Sequence, residues 1–342
     1  MKLFSFLTQE IAIDLGTANT IIMHNDKVVV DQPSMVAIDK ITDKVIAIGE
    51  KARQMQGKEH RNLEVVKPLK DGVIANFHAA ENMIRGMIGI ISKKNFLQLP
   101  PNYKMVICIP SGITEVELRA VKESAERAGG KEVKLIYEPM AAAIGIGIDV
   151  EEAEGNMIVD IGGGTTEIAV IALSGIVCDQ SIRLAGDQLT KDIMDYMKTQ
   201  HNLNIGEPTA EAVKKNVGSA LTHLDNPPPE YPVQGRDNVM GIPKQIIISY
   251  HEIADALDKS IQKIEESILK ALESTPPELA ADIFRTGIYL TGGGALLRGL
   301  DKRISEKTKL KVHVADDPLL AVARGTNIAL KNMEKFAAVL KN

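Results

Sequence analysis

The sequence has no tryptophan and only 4% aromatic residues, so its core must be built from aliphatic side chains. Cysteine is scarce too. Cys108 and Cys178 each lie in an apolar run, which fits buried strand residues in a reducing cytoplasm and excludes a disulfide framework. The seven histidines show no HExxH or Cys/His spacing, so a metal held by protein ligands alone is not expected. An excess of positive charge is also missing. The formal charge is −5, from 40 basic and 45 acidic residues spread without long runs, which argues against nucleic acid as the main partner. No stretch approaches the roughly 20 apolar residues of a membrane span. Met1–Leu7 is too short for the apolar region of a signal peptide, and Gln9–Glu10 leads straight into a strand pattern, so the protein is expected to stay inside the cell.

What is present is an ordinary globular composition, 44% hydrophobic and 25% charged over 342 residues, long enough for two domains. Glu10–Leu15 alternates and ends in Gly-Thr-Ala-Asn-Thr, and Ile21–Met23 and Val28–Val30 complete a β-meander. The pattern returns at Asn156–Asp160, with Gly162–Gly164 and Thr165 after it, then strands at Glu167–Leu173 and Ile176–Cys178 around a Ser174–Gly175 turn. Asp14 and Asp160 each close an apolar strand before a glycine-containing hairpin, which reads as duplication of one α/β unit. Lys104–Ile109 is a continuous apolar run, as expected of an interior strand. Thr114–Gly129 reads as a helix opened by a Thr114/Glu117 capping box. Its core face is Leu118, Val121, Ala125 and Ala128, leaving Val116 and Ala120 on the other side as a candidate partner surface. Met140–Ile148, Thr209–Ala220 and Glu252–Glu273 read as helices, Asp225–Pro232 as a rigid turn, and Leu319–Leu340 as a mostly helical tail. Gly287–Thr291 is a strand running into Gly292–Gly294, with a helix expected from Ala295.

Phosphate binding without a lysine-bearing P-loop needs inward backbone N–H groups and small residues that let the ligand approach. Gly16-Thr17-Ala18-Asn19 and Gly162-Gly163-Gly164-Thr165 both meet that need, each behind one acid. Asp14 and Asp160 facing each other across a cleft could hold Mg²⁺ through water, the usual mode for that cation. Each loop alone is equally well a glycine-rich hairpin; the ordered pair is what points to phosphate. Gly292–Gly294 lacks the full dinucleotide-binding spacing and fits a tight turn passing an adenine. Glu138, restrained by Pro139 at a helix start, could be a dipole partner or could orient or deprotonate a water attacking a γ-phosphate.

These residues resemble the actin, sugar-kinase and DnaK-type ATPase superfamily, and within it the MreB family of rod-shape-determining bacterial actins. The resemblance runs through DLGTANT at 14–20, IPSGIT at 109–114, YEPMAAAIG at 137–145, VDIGGGTTE at 159–167, LTGGGALLRGLD at 290–301 and DDPLLAVARGT at 316–326. It implies an α/β actin-like fold of two RNase H-like domains around a nucleotide cleft, each with a smaller subdomain. The implied division is 1–31, 66–148 and 316–342 for the first domain with 32–65 as its small part, and 149–183 and 246–315 for the second with 184–245 as its small part. Thr17, Ala18 and Asn19 would take the first phosphate contacts of ATP or ADP and Gly162 to Thr165 the second, with Asp14 and Asp160 orienting Mg²⁺. Glu138 matches the family's water-activating acid, with Thr165 beside it. Glu211 and Lys214 match ribose and adenine contacts, closed from the other side by Gly292, Gly293, Gly294 and Ala295. Ala185, Gln188 and Asn327 depart from the usual pattern, which puts local packing and subunit contacts in question more than ATP binding.

The resemblance also implies homopolymer filaments on the inner face of the cytoplasmic membrane, with a RodZ-like anchor and wall-elongation proteins as partners. Leu3, Phe4, Phe6 and Leu7 suit an amphipathic membrane segment, and Phe96 and Leu97 beside Lys93–Lys94 suit a second inserting loop. Burying each Leu or Phe contributes about 1.5–3 kcal/mol, so one monomer would bind weakly and a filament firmly. In the family the helix bearing Val116 and Ala120 helps pair protofilaments antiparallel. A sugar kinase, the alternative, would need an acid aimed at a sugar hydroxyl and typically a longer chain. A chaperone ATPase would need a substrate-binding domain beyond the last matched motif, and the cell-division actin a different inserted subdomain.

Overall fold

The computed structural model describes residues 8–92 and 102–341. Two five-stranded sheets carry the fold, and they share one topology. Thr8–Leu15, Asn19–His24 and Lys27–Pro33 form an antiparallel meander, and Asn102–Ile109 and Gly130–Tyr137 add in parallel beyond the first strand. Asn156–Ile161, Thr166–Ala172 and Gly175–Ile182 repeat the meander, and Ile288–Thr291 and Val312–Val314 add in parallel. The repeat extends to the hairpin turns. Asn25 and Asp26 (φ 51° and 60°) and Leu173 and Ser174 (φ 52° and 60°) are left-handed pairs, the geometry whose twist matches a tight hairpin. The second turn lies one residue earlier than its sequence suggests, because Gly175 already pairs with Ala172 as the first residue of the next strand.

Strand alternation divides the side chains between three apolar clusters. Ile11, Ile13 and Ile107 face an outer core of the first half, and Met157, Val159 and Ile161 an outer core of the second. Ala12, Val106 and Cys108 from one sheet and Ile158, Ala169 and Ile171 from the other face a shared middle layer. That layer is filled by the helices Glu138–Gly145 and Ala321–Lys331. They cross at bare backbone. A Cβ on Gly145 would lie 1.9 Å from the Ala321 oxygen, and one on Gly325 1.7 Å from the Ala141 oxygen, so only glycine fits at either position.

Two small sheets flank the mouth between the halves: Lys44–Ile48, Val36–Asp39 and Leu63–Val66 on the first, and Leu203–Asn204, Tyr231–Asp237 and Pro243–Ile248 on the second. The helix after Thr114 runs Glu115–Arg127 with its capping box formed, and Ser249 with Glu252 makes a second box for Tyr250–Glu273. Four expectations shift. Helix Glu207–Val217 starts two residues early, because Pro208 suits a first turn. The segment from Asp225 ends its irregular course at Glu230, since Tyr231 and Pro232 already pair with Ile248 and Ile247. Gly293–Leu296 is a single 3-10 turn and the α-helix begins only at Leu300. The tail is α-helical to Lys331 and continues as successive turns.

Candidate functional site

The alternation that builds the middle layer also places the acids. Asp14 continues the inner stripe of Ala12, Asp160 that of Ile158, and Glu167 that of Ala169 and Ile171. Cys108 and Thr291 end inner stripes of the parallel strands, and Glu138 opens the sandwiched helix. One polar layer from both halves thus caps the dry helix pair.

Within it, Cys108 Sγ donates to Asp14 Oδ1 at 3.1 Å and Thr291 Oγ1 to Asp160 Oδ1 at 2.7 Å. Burial pushes the Asp14 carboxyl up to about 6, against the Cys108 hydrogen bond that lowers it. Burial likewise pushes Asp160 up to about 7 despite Thr291, with Asp14 and Glu167 adding repulsion. Burial also holds the Cys108 thiol well above its ordinary range, so it stays a donor. Glu138 is 9% exposed, and its carboxyl takes no hydrogen bond from the described residues. Burial first, then the charges of Glu167, Asp160 and Asp14, raise its carboxyl well above the usual range. Among the described residues no three such side chains form a cage for a metal. Two repelling, desolvated carboxylates, each holding a single donor, fit a hydrated divalent cation between them.

The glycine loops meet above these acids. The backbone of Gly16 turns so tightly that an added Cβ would lie 2.6 Å from the Asn19 oxygen. Thr17 Oγ1 accepts from the Gly72 N–H at 3.0 Å, Ala18 O accepts from the Ser34 N–H at 2.9 Å, and Asn19 Nδ2 donates to Asp31 at 2.9 Å. Gly163 packs on Ala18, and Gly164 on Thr17 and Asp71, where added Cβ atoms would come within 3.0 Å. Gly162 N–H donates to Thr165 O at 2.9 Å, and Gly162 O and Gly163 O accept from Gly186 and Asp187 at the start of helix Gly186–Gln200. The structure therefore brings Asp14, Gly16–Asn19, Glu138, Asp160 and Gly162–Thr165 into one cleft.

Glu211 and Lys214 lie beside it but are engaged with one another at 2.6 Å. Lys214 also donates to Gly186 O at 2.8 Å, and Thr190 Oγ1 to Glu211 at 2.8 Å. Burial raises the Glu211 carboxyl, and Lys214 and Thr190 outweigh it, leaving it below its ordinary value. The triple glycine has a packing reason of its own: Gly292 (φ 76°) and Gly294 ride on Ile161, with added Cβ atoms 2.4 Å from its oxygen and 2.2 Å from its Cγ2. Ala295 is buried in the same turn. Val116 is 80% exposed and Ala120 half-buried. Leu3, Phe4, Phe6, Leu7, Phe96 and Leu97 lie outside the described residues. The departures are accommodated: Ala185 is buried in extended backbone, Gln188 donates to Asp192, and Asn327 Nδ2 donates to Asp26 in the first hairpin turn.

Sequence reasoning passed over Cys108 as a partner of Asp14, and read Glu167 only as part of a strand and a motif. Glu167 carried a signal, being an acid at the head of the apolar run Ile168–Ala172. It also passed over the mouth of the cleft. There Lys67 of the first half pairs with Asp187 at 3.2 Å and with Glu207, and Gln56 Nε2 donates to Glu207 at 2.9 Å. Among the described residues no helix is long and apolar enough to cross a membrane.

The family model described as MreB/Mbl protein matches residues 8–338. The cell shape-determining protein Mbl of Bacillus subtilis (strain 168) is 45% identical over 329 residues, 96% of this chain and 97% of that one. The cell shape-determining protein MreB of Escherichia coli (strain K12) is 43% identical over 338 residues, 97% and 96% of the two chains. The crystal structure of MreB5 of Spiroplasma citri, solved bound to AMPPNP and also bound to ADP, shares the fold with a TM-score of 0.90 at 39% identity, covering 96% of this chain.

Proposed function

This chain belongs to the MreB/Mbl family, and from that premise we propose that it is an ATP-binding cytoskeletal protein that polymerises into membrane-associated, antiparallel double filaments and organises wall elongation. The observation that carries the ATP site is the polar layer in which Asp14 and Glu138 of the first half meet Asp160 of the second beneath two glycine loops. Thr17 to Asn19 and Gly162 to Thr165 contact the phosphates, and Glu211, Lys214 and Gly292–Ala295 surround ribose and adenine. A bound Mg²⁺, held by Asp14 and Asp160 through water, would supply neutralising charge for the phosphates. Glu138 takes a proton from, or orients, the attacking water, with Thr165 beside it. The nucleotides in the S. citri structure support adenine-nucleotide binding here. The division at 32–65 and 184–245 belongs to this reading, supported by the two small sheets that fall largely in those ranges.

Leu3, Phe4, Phe6, Leu7, Phe96 and Leu97 attach the filament to the inner face of the membrane, Val116 and Ala120 pair protofilaments, and a RodZ-like anchor and wall-elongation proteins are the partners. Negative-stain microscopy with ATP, Mg²⁺ and lipid vesicles tests this: double filaments on vesicles are expected, and sugar phosphorylation without polymer would overturn it. In Glu138→Ala, nucleotide affinity should persist while hydrolysis slows by about 10²-fold or more. Full activity would remove Glu138 from the mechanism.

A further inference from the structure

We infer that Glu167 is a positioning residue for hydrolysis, the clip through which closure of the two halves fixes Glu138 against the second phosphate loop. This rests on the ATPase reading above and adds a residue to it. Glu167 is 0% exposed and would be an expensive charge in a strand without partners. Its partners come from both halves. Oε2 accepts from Ser111 N–H at 3.2 Å and from Ser111 Oγ at 2.5 Å, and Oε1 accepts from Ser181 Oγ at 2.7 Å. Ser181 faces Glu167 across the second sheet, so that bond only orients the carboxylate. Ser111 belongs to the first half, so the other two bonds exist only while the halves are together.

Ser111 is placed to pass this on. It lies two residues after Ile109, whose strand partner is Tyr137, the residue directly before Glu138. Glu167 itself faces Asp160 across its own strand pair. The clip therefore ties the segment beside Glu138 to the strand that ends in Asp160 and the second loop. Gly72 joins the same region to both phosphate loops: an added Cβ on it would meet Pro110 at 2.8 Å and Thr165 at 3.0 Å, and its N–H donates to Thr17. Gly112 packs closely on Ser181, where an added Cβ would lie 3.1 Å from Ser181 Cβ. Misplacing a reacting group by about 1 Å can cost on the order of 10²-fold in rate, so a clip at this point acts on turnover more than on binding.

The test is fluorescent-nucleotide affinity beside single-turnover phosphate release, in full-length wild type, Glu167→Gln, Ser111→Ala and Ser111→Thr. Ser111→Ala and Glu167→Gln should hold affinity within about threefold and lower single-turnover hydrolysis at least about tenfold, with Ser111→Thr near wild type because it keeps the hydroxyl. Should Glu167→Gln fold poorly, the half-buried Ser111 pair decides alone. Unchanged hydrolysis in Ser111→Ala, or an equal loss in Ser111→Thr, overturns the clip while leaving the ATPase reading standing. A wild type that neither binds nor hydrolyses adenine nucleotide overturns that reading and the clip together.

Discussion

At the residue scale, the acids of the cleft are costly to the empty fold. Asp14 has a folded value of about 6 against an ordinary 3.8, so its carboxyl favours folding when protonated. That stability is fully present below pH about 4 and is lost as pH rises through about 6. Asp14→Asn should therefore stabilise nucleotide-free protein at pH 8 by about 2–3 kcal/mol, read as a higher melting temperature, and the advantage should vanish towards pH 4. A melting-temperature difference that does not depend on pH would mean that Asp14 is not a desolvated carboxylate. Most of this residue set was legible beforehand. Asp14, Asp160 and Glu138 stand out because acids at strand ends and helix starts are visible as breaks in apolar patterns. Cys108 did not stand out, because a thiol in an apolar run looks like any small core residue until strand pairing sets it against Asp14.

At the scale of elements, the crossing of Glu138–Gly145 over Ala321–Lys331 is the tightest contact in the middle layer. Gly145→Ala or Gly325→Ala must push the helices apart and should cost about 1–3 kcal/mol or more, read as a lower denaturation midpoint with unchanged slope. Wild-type stability in both variants would mean the crossing is looser than its backbone distances. The meanders, the capping box at Thr114 and the interior strand at Lys104–Ile109 were readable because their signals are local in sequence. The helix expected from Ala295 starts only at Leu300, after a 3-10 turn, for the opposite reason. The turn's conformation is dictated by Ile161, a neighbour brought there by parallel pairing of Asn156–Ile161 with Ile288–Thr291. The crossing itself is equally non-local: nothing near Gly145 in sequence announces Gly325.

At the scale of the whole molecule, the halves touch at three levels: helix Glu138–Gly145 against the second sheet at the root, Glu167 with Ser111 in the middle, and Lys67 with Asp187 and Glu207 at the mouth. The mouth contact is partly solvated, so its loss should be modest. Lys67→Ala should speed nucleotide dissociation several-fold, in line with about 0.5–1 kcal/mol for such a pair, and high salt should erase the difference. A chase of labelled ADP reads the rate directly, and identical rates at low salt would show that the mouth does not restrain the ligand. The membrane attachment proposed above belongs to the same scale. A polymerisation-dead variant should float with lipid far less than wild type, since one chain offers few apolar anchors and a filament many. Undiminished flotation would sink that idea.

The bare-backbone crossing carries one more consequence. Side chains at a joint act as shims, adjusting rotamers to absorb error. Between Gly145 and Gly325 there are none, so the joint has almost no slack. In a string of identical copies, angular play adds up from one to the next. In the filament proposed above, a joint without shims keeps that accumulated error small, because helix Glu138–Gly145 is held to Ala321–Lys331 without slack.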